Sequence, residues 1–137
     1  MRCVLVDAGP LIALFSEDKN QARFSKRIRE LADENARLLT TWPCVTEATY
    51  LVPRLNNRLA LMRWLAEGGA IAREFPATAL EQMASWVERY SDRRDMDFAD
   101  ASLMWLAVET PTREILTTDR NDFERYRLPG NKRFEIV

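Results

Sequence analysis

The chain has 137 residues, 47% of them hydrophobic, with 20 Lys and Arg against 21 Asp and Glu and no histidine. That length suits one domain of common size spanning 1–137, and the missing histidine excludes Ser-His-Asp triads, imidazole general bases and histidine metal ligands. The net charge of −1 gives little whole-molecule attraction to nucleic acid, although the cations are lopsided, 17 Arg to 3 Lys, and arginine suits bidentate phosphate contacts as well as surface ion pairs.

In chain order, the apolar R-C-V-L-V-D (2–7) predicts a buried strand. Gly9-Pro10 opens a helix, since proline is tolerated in a first turn, and L-I-A-L-F continues it. Residues 20–36 carry Phe24, Ile28 and Leu31 at helical spacing. A-R-L-L-T-T (36–41) reads as a second strand. Pro43 starts a helix with Cys44, Ala48 and Leu51 on one face, ended or kinked at Pro53. A further helix over 54–67 is closed by Gly68-Gly69. Residues 70–75 read as a strand, and 77–91 as a helix whose core stripe is Leu80, Met83, Ala84 and Val87. Residues 98–109 predict a deeply placed, almost wholly apolar helix, 114–118 a strand, a short helix after Asp119, and 133–137 a final strand at a sheet edge. Alternating strands and helices predict an α/β fold with a mostly parallel sheet. Cys3 and Cys44 have no zinc spacing and read as buried free thiols. No apolar run approaches the ~18–20 residues that span a bilayer. The chain also reaches Asp7 too soon for a signal peptide, so a cytoplasmic protein with no membrane partner is expected.

Four carboxylates stand in apolar surroundings at separated points: Asp7 in V-L-V-D-A-G-P, Glu47 in V-T-E-A-T-Y-L, Asp100 in M-D-F-A-D-A-S-L and Asp119 in I-L-T-T-D-R-N-D-F. Charged side chains are rarely buried without a partner, and two like charges about 4 Å apart repel by roughly 4 kcal/mol at an effective dielectric near 20. If the four converge, a cation holds them most economically. Each also has an ordinary reading. Asp97 with Asp100, and Asp119 with Asp122, form D-x-x-D at helix starts, where acids cap orphan N–H groups and suit the dipole. Asp7 could likewise cap the helix opened by Pro10. Glu47 is mid-helix, with no basic residue three or four positions away to pair with it. Asp7 ends the first strand and Asp119 follows the fourth, where parallel sheets place their sites. A histidine-free oxygen donor set favours Mg²⁺ or Mn²⁺ over zinc.

V-L-V-D-A-G-P-L-I-A-L, the helical T-E-A, M-D-F-A-D-A-S-L-M-W-L-A and I-L-T-T-D-R-N-D-F, in this order and spacing, together resemble the PIN-domain ribonucleases, most of all the VapC-type toxins of toxin–antitoxin pairs. The likeness runs from Asp7 to the final strand. It implies a three-layer sandwich with a central, mostly parallel sheet of four to five strands flanked by helices. It implies that Asp7, Glu47, Asp100 and Asp119 form an acidic quartet, with Asp7, Asp100 and Asp119 as ligands of Mg²⁺ or Mn²⁺ and Asp97, Asp122 and Thr117 as auxiliaries. The activity implied is hydrolysis of RNA by a metal-activated water that attacks in line and leaves a 5′-phosphate and a 3′-hydroxyl. The partners implied are an RNA substrate, a cognate antitoxin and a second copy of the chain, with Leu51, Val52, Leu55, Leu61, Trp64 and Leu65 as interface candidates, at least half of which are expected to be core instead. Arg54, Arg58, Arg93, Arg94 and Arg120 are candidates for choosing the RNA. One residue departs from the pattern: Gly9 stands where many relatives carry Ser or Thr. A nuclease acting on structured DNA, a Mg²⁺-dependent phosphatase and a non-catalytic binding module on the same fold are the alternatives. Gly9 in place of a second Asp counts against the phosphatase. No glycine-rich phosphate loop is present for a nucleotide-binding module.

Overall fold

Val4, Leu5 and Val6 are all fully buried, because both faces of the strand they form, β1 (Cys3–Val6), are covered. Successive side chains point to opposite faces, so Val4 and Val6 join one hydrophobic cluster and Leu5 the other. An unalternating apolar run of this kind is the mark of a central strand in a parallel sheet. The computed structural model describes residues 1–92 and 95–137. After β1 come α1 (Ala8–Leu14), α2 (Gln21–Asp33), β2 (Arg37–Thr41), α3 (Trp42–Leu51), α4 (Leu55–Ala66), β3 (Ile71–Arg73), α5 (Ala79–Arg89), α6 (Phe98–Glu109), β4 (Glu114–Leu116), α7 (Arg120–Arg125), β5 (Arg127–Leu128), β6 (Lys132–Arg133) and β7 (Glu135–Ile136). No helix among the described residues is long and apolar enough to cross a membrane.

Five strands make one sheet in the order β3-β2-β1-β4-β7, and every adjacent pair in it is parallel. The chain builds outward from β1 through β2 to β3, then returns to the other side of β1 for β4 and β7. The order therefore reverses between β1 and β4, and a crevice opens beyond the carboxyl ends of those two strands. Asp7 and Asp119 lie at its two edges. On one face, Phe24, Leu31 and Leu61 of α2 and α4 pack on Val4, Val6, Leu38 and Leu116. On the other, Met83, Trp86, Leu103 and Phe123 of α5 to α7 pack on Leu5, Leu39 and Ile115. This is the expected three-layer sandwich with its helix-flanked parallel sheet.

Four expectations need correction. The segment 133–137 is not one strand: β6 pairs antiparallel with β5 in a separate hairpin, and only β7 joins the sheet, at its edge as expected. The hairpin turns through Gly130 and Asn131, both at positive φ, and Phe134 between β6 and β7 is buried in the core. On α5 the buried stripe is Ala79, Met83, Trp86 and Tyr90; of the expected Leu80, Met83, Ala84 and Val87, only Met83 is fully buried, and Val87 packs partly buried against the core. Burying two large aromatic rings outweighs burying Leu80, which stays 44% exposed. On α3 the apolar line runs from Cys44 and Ala48 to Val52, leaving Leu51 outside. Of the interface candidates, Val52 and Leu61 are core and Trp64 and Leu65 pack against it, so only Leu51 and Leu55 face outward. The cysteines are free, Cys44 buried and Cys3 only half-buried.

The rotated stripe gives a direct expectation. Trp86→Ala should cost about 3–5 kcal/mol in denaturant unfolding, and Leu80→Ala less than about 1 kcal/mol. Equal losses would restore the original stripe.

Candidate active site

Three helix starts carry acids into the crevice. Asp7 is the N-cap of α1: its Oδ1 accepts from the Ala8 N–H at 2.8 Å, and its Oδ2 accepts from the Thr117 hydroxyl at 2.9 Å. Thr117 in turn accepts from the Asp119 N–H at 2.9 Å, so one hydroxyl links the ends of β1 and β4. Asp97 is the N-cap of α6 and accepts from the Asp100 N–H at 2.8 Å, which places Asp100 on the inward side of the first turn. Asp119 is the N-cap of α7 and accepts from the Asp122 N–H at 3.4 Å. Glu47 comes from the middle of α3, half-buried. The hydroxyls of Thr41 and Ser102 meet at 2.6 Å and tie α6 to the end of β2.

Asp7, Glu47, Asp97, Asp100, Asp119 and Asp122 thus line a single cavity of about 340 Å³, with Asp95, Ala8, Gly9, Ile12 and Thr118. No Lys or Arg is among the described residues that line it. Asp7, Glu47 and Asp100 have no ion-pair partner among the described residues, whereas Asp122 has Arg125 at 3.7 Å. The quartet is brought together, and the auxiliaries Asp97, Asp122 and Thr117 stand around it. Arg93 and Arg94 lie outside the described residues. Arg54 pairs with Glu17 at 3.4 Å on the surface.

Burial without a countercharge shows in the acidities. Asp7 is 7% exposed, and burial pushes its pKa up to about 7 against the opposing Thr117 hydrogen bond, with the charges of Glu47 and Asp97 adding to the rise. Asp100, 8% exposed, is pushed up to about 8, first by burial and then by the charge of Asp7. Glu47 is raised by burial and by Asp97. The donors present are all oxygens, which suits a hard divalent ion. Among the described residues no three acidic, His or Cys side chains stand in a ligation shell.

Three residues escaped the sequence reading. Tyr126 donates its hydroxyl to Asp100 Oδ2 at 2.6 Å from a fully buried ring, fixing that carboxylate from α7's far end. Its ring is held edge-on by Tyr90 and Phe123. No local signal marks a contact made across 26 residues. Asp95 had a signal, the D-M-D doublet with Asp97. Thr118 accounts for the departure at Gly9: a Cβ there would overlap the Thr118 side chain, so Thr118 occupies the space a residue 9 side chain would need and lines the cavity itself.

A parallel α/β sandwich that gathers acids into one crevice at its switch point has the form of a PIN-like domain. No protein-family model matches the chain. Over 138 aligned residues it is 34% identical to Ribonuclease VapC26 of Mycobacterium tuberculosis (strain ATCC 25618 / H37Rv), covering 98% of this chain and 99% of that protein. The chain belongs to the VapC family of PIN-domain ribonucleases.

The raised acidities bear on stability. A carboxyl whose folded pKa exceeds its unfolded value stabilises the fold below the unfolded pKa, near 4, and that contribution is lost as pH rises through the folded value. In EDTA the unfolding free energy should therefore lose the Asp7 and Asp100 contributions as pH rises from about 4 to about 8. Asp100→Asn should flatten that decline, as read from denaturant midpoints at several pH values. An identical slope in the variant would contradict the burial of an unpaired charge.

Proposed function

We propose that the chain is a metal-dependent endoribonuclease and acts as the toxin of a toxin–antitoxin pair. The observation that carries this reading is the convergence of Asp7, Glu47, Asp100 and Asp119 on one cavity. The relative's name, Ribonuclease VapC26, supports it. Asp7, Asp100 and Asp119 are the residues to hold Mg²⁺ or Mn²⁺. Such an ion, when bound, lowers the pKa of a water and offsets charge on the reacting phosphate.

The chain's own residues set the geometry. The Thr117 hydroxyl and the α1 N-terminus fix both oxygens of Asp7. Tyr126 fixes Asp100, and the Asp97 cap fixes the turn that carries it. Glu47, the more solvent-reachable acid with a raised pKa, is placed to hold a proton at the cavity wall. Ordered carboxylates of this kind need no rearrangement as charge develops.

The same reading makes RNA the substrate and a cognate antitoxin the protein that covers the acidic cleft. It also places a second copy against the exposed apolar side chains Tyr50, Leu51, Leu55 and Met62 of α3 and α4. Sedimentation should then show a dimer at micromolar concentration, and Leu55→Glu should shift it to monomer.

RNA digestion with Mn²⁺, with EDTA, and with Asp100→Asn side by side tests the activity. Cleavage is expected only for the parent chain with metal. Cleavage persisting in Asp100→Asn would sink the assignment, and preference for structured DNA over RNA would redirect it. Tyr126→Phe should lower turnover by about 10–100-fold, as loss of a group orienting a metal ligand does, while RNA binding stays unchanged.

A further inference from the structure

A second cavity, about 330 Å³, opens beside the acidic one at the carboxyl end of β4, and its charge is opposite. Arg23, Lys26 and Arg27 of α2 and Arg120 of α7 line it, with Glu30 and Thr117. The two cavities share a wall. Thr117 lines the basic one and donates to Asp7 in the acidic one. Thr118 and Asp119 line the acidic cavity, and the next residue, Arg120, lines the basic one.

The basic cluster is costly where it stands. Arg23 and Arg27, and Arg23 and Lys26, are like charges at i,i+4 and i,i+3 on one helix, which repel. They occupy the N-terminal half of α2, where the helix dipole disfavours cations, while the last turn holds no basic residue. Two members are partly answered: Arg27 by Glu30 at 3.1 Å and Arg120 by Glu124 at 3.5 Å. Arg23 and Lys26 are exposed and have no ion pair among the described residues. The Arg23 guanidinium lies 4.6 Å from the centre of the buried Phe24 ring, which steadies it. An anion in the cavity would relieve this repulsion.

The neighbouring site supplies a reason for that anion to be a nucleic-acid phosphate. A strand entering a cavity lined by seven carboxylates is repelled unless positive charge flanks its path. We propose that the Arg23–Lys26–Arg27–Arg120 cavity is a phosphate-binding subsite, which grips the RNA backbone beside the scissile bond and holds the strand across the Thr117–Arg120 wall. The inference rests on the ribonuclease reading for its ligand. Arginine and lysine there contact phosphate by charge-assisted hydrogen bonds, so the grip is independent of base sequence.

The test is RNA affinity rather than turnover. A short fluorescein-labelled single-stranded RNA of mixed sequence is titrated with the full chain carrying Asp100→Asn, by anisotropy at several salt concentrations. Adding Arg23→Gln with Lys26→Gln should raise Kd about tenfold or more. It should also make the log–log salt dependence shallower by about 1.4, at roughly 0.7 for each phosphate that the protein no longer neutralises on a single strand. The same charge loss at the amino ends of the strands, Arg37→Gln with Arg113→Gln, should change Kd much less. Equal weakening by both pairs, or no weakening by the first, overturns the subsite, and in the second case an acidic protein segment becomes its occupant. Digestion by the parent chain is read separately. Cleavage by the parent, with unchanged binding in the double variant, leaves the ribonuclease and sinks the subsite. Binding lost in the double variant, with no cleavage by the parent, does the reverse.

Discussion

Acidic side chains brought together where β1 and β4 end, with Asp7, Glu47 and Asp100 lacking an ion-pair partner among the described residues, are the constraint around which the rest of this molecule is arranged. Like charges in a half-dry crevice repel, and burial pushes the pKa of Asp7 and Asp100 up to about 7 and about 8. Backbone geometry helps to hold them there. Asp7, Asp97 and Asp119 each begin a helix and each accept an N–H from its first turn, so the positive ends of α1, α6 and α7 face the acids. Thr117 and Tyr126 add hydroxyl donors to Asp7 and Asp100. Capping and function, which compete as explanations in the sequence, are not alternatives here: the cap is the means by which the side chain is aimed.

The cost of such a site is met by the layers behind it. Helix α6 buries nearly all of its length between sheet and α5, and the Thr41–Ser102 contact locks it in place. A helix so embedded gives Asp100 a fixed origin while its carboxyl faces the cavity. Strained or repulsive groups persist only where surrounding structure over-determines them, and α6 is the clearest case in this chain.

Much of this is legible in the sequence. V-L-V ending on Asp7 announces a two-sided strand, and the apolar 98–109 run announces a central helix, because burial on all sides leaves no polar face to hide the signal. The quartet is legible for the same reason, as charge in apolar company. What escapes is non-local or competitive. Tyr126 reaches Asp100 through the tertiary fold, which no spacing encodes. On α5, two overlapping stripes satisfy the same periodicity, and only the volume of the Trp86 and Tyr90 rings chooses between them. The β5–β6 hairpin is hidden because two-residue strands carry no periodicity at all.

Gly9 sits in the first turn of α1 and Thr118 just beyond β4, yet a Cβ on the first would meet the side chain of the second. A side chain at residue 9 requires the Thr118 side chain to shift, so two positions more than a hundred residues apart share one space.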